Sequence, residues 1–83
     1  MASEPPLDLA ALFREHARGL AGAVRGVLGS GADVQEVLQE AFLKAWRALE
    51  RDGRPDDPPA WVFVLTLNLA RDFGRKASRR GPT

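Results

Sequence analysis

The sequence predicts an all-α domain arranged as a three-helix bundle. Apolar residues recur at helical spacing through most of the chain. Asp, Pro and Gly punctuate that pattern into three segments. The chain has 83 residues and no cysteine, so it is one small domain without disulfides or thiolate metal sites. A domain of this size buries only about 60% of its unfolded surface, and without staples it must rely on helix packing or on a partner.

The first segment opens with Asp8 as N-cap. Leu9, Leu12, Phe13, Ala17, Leu20, Val24, Val27 and Leu28 then fall at steps of three, four and one, which predicts a single long helix. Gly19, Gly22 and Gly26 interrupt it, each costing about 1 kcal/mol relative to alanine. Such small residues either mark a weak helix or admit close approach of another; the weak helix is the simpler account. His16 is expected on the solvent side of this helix. As the only histidine it cannot build a metal site.

Gly29-Ser30-Gly31 ends the first segment. Asp33 caps the second, with Glu36 three residues on in a capping-box arrangement. Val34, Val37, Leu38, Ala41, Phe42, Ala45 and Leu49 form its apolar stripe, which predicts a helix over about 33–51, stopped by Gly53. Arg54-Pro55-Asp56-Asp57-Pro58-Pro59 reads as a loop, with room for a short extra helix. Asp57 as N-cap and Pro58 as first helical residue open the third segment. From Trp61 to Phe73 it is nearly continuously apolar; a buried strand fits the β-branched content, but length and the Pro-based start favour helix. Residues 1–7 read as a flexible N-terminus, 8–77 as the domain and 78–83 as the start of a linker or tail.

Composition excludes several classes. With 45% hydrophobic and 28% charged residues the chain is an ordinary globular one rather than a disordered one. Its longest apolar run, Ala60 to Leu65, is far below the ~20 residues needed to span a bilayer, so no membrane insertion is expected. The start carries no secretory signal, and cytoplasmic localisation is expected. No enzyme signature is present. The Gly-Ser-Gly turn lacks the Gly-Lys-Ser/Thr of a phosphate loop, Asp56-Asp57 fits a cap better than acid–base work, and no serine has a nearby base. No cofactor is expected.

The net charge of +1 conceals two unlike parts. Residues 71–83 hold five cations against Asp72, a net of +4, while residues 1–70 hold seven cations against ten carboxylates, a net of −3. The basic end suits phosphate contact, and it equally suits a solvated helix C-terminus. The polar face of the second helix carries Glu36, Gln39, Glu40, Lys44 and Arg47, with Leu43 among them and Trp46 at its border. That mixture suits protein docking; a Glu40–Lys44 pair one turn apart is the simpler use of it.

These residues also carry a family resemblance. Leu12-Phe13-Arg14-Glu15-His16, Val27-Leu28-Gly29 and the run from Ala32 to Trp46 resemble region 2 of bacterial sigma factors, of the extracytoplasmic-function group. Within that run the most specific part is Gln39-Glu40-x-Phe42-Leu43-x-Ala45-Trp46. Ala60-Trp61-Val62-Phe63 and Asn68-Leu69-Ala70-Arg71-Asp72 resemble the later part of the same region. The resemblance spans residues 8–77 without a gap. It implies a fold of the sigma region 2 type and a role in transcription initiation: binding RNA polymerase, then recognising and melting the promoter minus-ten element.

Carried over, the resemblance implies docking on the clamp coiled coil of the polymerase beta-prime subunit through Glu36, Gln39, Glu40, Leu43 and Trp46. It implies contact with promoter DNA, mainly the single-stranded non-template strand, through Arg54, Pro55, Asp56, Trp61, Asn68, Arg71, Arg75 and Lys76. The chemistry is compatible, because strand recognition combines base pockets, aromatic stacking and a cationic track. Trp61 suits stacking on a base, although a tryptophan at the start of an apolar helix is more commonly core. The chain departs from the family where basic residues are usual and it has Val64 and Leu67. That apolar pair implies a surface for an anti-sigma factor or other regulator. Two rivals remain: a sigma-like protein-interaction module, and an unrelated helix-turn-helix domain reading duplex DNA. No second helix-turn-helix domain follows for the minus-thirty-five element, so the chain is expected to be a fragment of a two-domain sigma factor or an incomplete relative.

Overall fold

The computed structural model describes residues 7–80, with side chains through Lys76; the lead-in at residues 1–6 and residues 81–83 lie outside it. All regular structure among the described residues is helical: α1 (Leu9–Glu15), α2 (Ala17–Leu28), α3 (Val34–Asp52) and α4 (Pro58–Arg80). The expected all-α class holds, and the expected three helices are four. The additional boundary lies at His16, not in the loop before the last helix. His16 leaves helical geometry at φ −109° and ψ 15°, so the predicted long first helix becomes two short ones. Its half-buried ring packs edge-on against Phe63, with centroids 5.8 Å apart, which corrects the solvent-side expectation. The break lets α1 lean on α3 while α2 packs chiefly on α4.

The caps follow the punctuation. The Asp8, Asp33 and Asp57 carboxylates accept from the backbone N–H groups of Ala11, Glu36 and Ala60 at 3.0, 3.0 and 3.2 Å. Each bond satisfies one of the donors that a helix start leaves unpaired. Gly29 and Gly53 end α2 and α3 at φ of 89° and 83°, a left-handed region that residues with a Cβ avoid. The last helix continues unbroken through Gly74 to Arg80, across the boundary expected at residue 78.

Two contiguous clusters make the core. One joins Leu9, Leu12, Leu20, Ala45 and Val62; the other joins Val24, Val37, Ala41, Leu69 and Ala70. Phe13, Leu38 and Leu65 pack against both and weld them together. Thr66 sits fully buried on the same face of α4, its hydroxyl without a hydrogen-bond partner.

The interior glycines divide by neighbour. A Cβ on Gly19 would lie 2.8 Å from Cζ of Phe63, whereas Gly22 and Gly26 face open space. Close approach therefore explains Gly19, and low propensity is all that Gly22 and Gly26 contribute. At Gly74 a Cβ would meet Cδ2 of Leu28 at 3.1 Å, so α2 supplies the apolar volume that this position lacks. Gly22→Ala and Gly26→Ala should each stabilise the domain by about 1 kcal/mol in urea denaturation, the helix-propensity difference. Gly19→Ala should lose that gain to the Phe63 contact; an equal gain at all three positions would refute the assignment.

Candidate functional site

The caps and helix periods set two exposed faces. On α3, Glu36, Gln39, Glu40, Leu43 and Trp46 recur at steps of three and one and lie within about 120° of the helix circumference. All five are exposed, while Val37, Ala41 and Ala45 on the far side are buried. Leu43 and Trp46 are 47% and 51% exposed, unusual for large apolar groups, and they sit beside the amide and carboxylates. Trp46 is held by stacking on Phe42, with centroids 6.3 Å apart and planes 25° from parallel. Phe42 in turn meets Phe13 edge-on at 5.3 Å, so the exposed indole is anchored through two rings to the core.

The second face runs along α4. Trp61, Val64, Asn68, Arg71 and Arg75 follow at steps of three and four, a single stripe. Asn68, Arg71, Arg75 and Lys76 are exposed, and Val64, about one turn before Asn68, is 58% exposed. Leu67 is half-buried at the stripe's flank. Trp61 is half-buried against the first core cluster, so its inner edge packs and the remainder meets solvent. Arg71 Nη1 donates to Asn68 Oδ1 at 3.5 Å, and Arg75 pairs with Asp72 one turn away. The Asp72 carboxylate thereby occupies one of the cations of the basic end.

The loop precedes this second face in the chain, and Arg54 lines a hollow with Trp46 and Leu49 on the α3 side. Arg54 and Asp56 are exposed and Pro55 is half-buried, between the Gly53 stop and the Asp57 cap. Asp57 also accepts through its carbonyl from the Trp61 N–H at 2.9 Å, which fixes the start of α4 to the end of the loop.

Lys44 departs from expectation. No Glu40–Lys44 ion pair forms; Lys44, Arg47 and Arg51 line a groove between α3 and α4, opposite Asn68 and Asp72. Sequence reading missed this grouping, although the steps of three and four between the cations were the available signal. Arg51 donates through Nε and Nη2 to both Asp52 carboxylate oxygens at 3.0 and 2.9 Å. Those bonds hold the Asp52 carboxyl below its usual range and raise the Arg51 guanidinium above its own.

Comparison with known proteins places this arrangement. The family described as Sigma-70 region 2 matches residues 12–80. The chain belongs to the sigma-70 region 2 family. It is 42% identical over 65 residues to the RNA polymerase sigma factor CnrH of Cupriavidus metallidurans, covering 77% of this chain and 34% of that protein. It is 35% identical over 71 residues to the ECF RNA polymerase sigma factor SigL of Mycobacterium tuberculosis, covering 84% and 40%. With the ECF RNA polymerase sigma-E factor of Escherichia coli it shares 35% identity over 51 residues, covering 61% and 27%. The chain thus spans about a third of the length of the first of these relatives. No solved structure matches it. The region 2 match begins in α1 and ends with α4, so both exposed faces and the loop lie inside it.

Asp57→Ala removes a side-chain cap at the junction of loop and α4. It should cost about 1 kcal/mol in urea or thermal unfolding, and amide exchange should rise at Ala60 more than in α3. Equal protection at Ala60 in both proteins would show that the cap does not order this junction.

Proposed function

We propose that this chain is the polymerase-binding and minus-ten-reading part of a sigma factor, acting by binding and not by catalysis. The face of α3 carries the reading. An amide, two carboxylates one turn apart and two half-exposed apolar groups on one helix suit a protein partner, because an apolar centre supplies affinity and polar neighbours supply register. In a region 2 chain that partner is the clamp coiled coil of the polymerase beta-prime subunit, met by Glu36, Gln39, Glu40, Leu43 and Trp46.

The stripe of α4 and the loop before it face promoter DNA in the same reading. Arg71, Arg75 and Lys76 supply charge to a phosphate backbone, Asn68 a donor and acceptor, and the exposed part of Trp61 a stacking surface. Arg54, Pro55 and Asp56 sit on a loop closed at both ends, which lowers the entropy cost of forming a base pocket. Single-stranded non-template DNA fits better than duplex, since the start of the helix that follows the Gly29-Ser30-Gly31 turn exposes Glu36, Gln39 and Glu40 and not the cations that a duplex-reading helix would need. Such a protein works beside polymerase in the cytoplasm, and no helix among the described residues is long and apolar enough to cross a membrane.

Gln39→Ala combined with Glu40→Ala should abolish binding to a peptide comprising the beta-prime clamp coiled coil, with helical circular dichroism unchanged. Both residues are exposed, so a folding defect is not expected. Unaltered affinity in a titration would falsify the assigned face.

One observation favours a further contact. Val64, 58% exposed with Leu67 at its flank, offers apolar surface where a DNA-facing helix would gain from charge. An anti-sigma factor or similar regulator covering it would block the α4 stripe. Val64→Arg should weaken such a complex at least tenfold (about 1.4 kcal/mol) in a pull-down calibrated by titration, and leave clamp binding intact. Full retention of the regulator's affinity would remove Val64 from that interface.

A further inference from the structure

The groove between α3 and α4 has contents that the two assigned faces do not use. It has a volume of about 370 Å³, with Lys44, Arg47 and Arg51 on one wall, Asn68 and Asp72 on the other, and Leu65 at its floor. The charges are unequally committed. Arg51 is held by Asp52, and Asp72 is held by Arg75. Lys44 and Arg47 have no ion-pair partner among the described residues. Two uncompensated cations therefore line one concave surface, where low-dielectric walls concentrate their field.

The groove is also continuous with the stripe of α4. Asn68 lines the groove and belongs to the stripe, and Arg71 bonds to it from the stripe side. A polyanion lying on Arg71 and Asn68 needs only to cross Asn68 to reach Lys44 and Arg47. A free anion would be served by the groove alone; the continuity favours a chain of phosphates.

We infer that the α3–α4 groove seats backbone phosphates of the single DNA strand that α4 faces, with Lys44 and Arg47 as the phosphate-binding residues. This rests on the minus-ten-reading function proposed above. It places α3 in two roles: one face toward polymerase, and an adjacent basic edge toward the strand. Neither cation carries sequence information, so the groove sets the register and direction of the strand while the loop and α4 meet its bases.

The test uses the chain bound to RNA polymerase core and a single-stranded minus-ten oligonucleotide, titrated across salt concentrations. Lys44→Gln with Arg47→Gln should reduce the slope of log affinity against log salt by about 0.7 for each phosphate released. Lys44→Arg with Arg47→Lys, which keeps both charges, should retain the wild-type slope. Replacing single linkages of the strand by neutral methylphosphonate should weaken wild-type binding at one or two positions and leave the Gln variant unaffected there. Circular dichroism and clamp binding report that the variants are folded and docked. A wild-type slope in the Gln variant, or equal methylphosphonate losses in both proteins, overturns the groove assignment alone. Absence of strand binding by the wild-type complex overturns the strand-reading function and the groove with it.

Discussion

The buried stripe of α4 is the surface on which everything else rests. Val62, Thr66, Leu69 and Ala70 present one face that α2 and α3 both pack against. A chain this short cannot build separate cores for two helix pairs, so one helix must serve both. Small residues at the crossings permit it: Gly19 accepts the Phe63 ring, Gly74 accepts Leu28, and Ala41, Ala45 and Ala70 are fully buried. The cost is tolerance. A methyl group at Gly19 meets an aromatic ring, and the Thr66 hydroxyl is buried without a partner in the centre of the stripe.

That constraint positions the exposed faces. Burying Val37, Ala41 and Ala45 of α3 leaves the opposite side for Gln39, Leu43 and Trp46. Burying Val62, Leu69 and Ala70 of α4 leaves Asn68, Arg71 and Arg75 outward. The faces are consequences of which side packs, and the groove with Lys44 and Arg47 lies where the two helices meet. In the proposed function, docking and strand contact are therefore neighbours on α3.

The caps also fix the loop between α3 and α4. Gly53 and Asp57 terminate α3 and start α4 within a few residues of each other, so the loop is short and fixed at both ends. A loop so held has little conformational entropy left to lose. The same economy holds at the other end of α3, where the Gly29 stop and the Asp33 cap flank the turn from α2.

Local chemistry made much of the domain legible in advance. The Asp8, Asp33 and Asp57 caps, the Gly29 and Gly53 stops, the helical class and the α3 face all follow from side-chain type and a 3.6-residue period, which act within a turn of the helix. The family resemblance rests on the same stretches, and the Sigma-70 region 2 match covers them. Tertiary structure alone decided the rest, because those features depend on groups distant in sequence. The half-buried ring of His16 rests on Phe63, the tight site at Gly19 is made by the same ring, and the half-buried state of Trp61 comes from the first core cluster. Lys44 looked like the partner of Glu40 because a period knows only its own helix; the approach of α4 is what turned it into the wall of a groove.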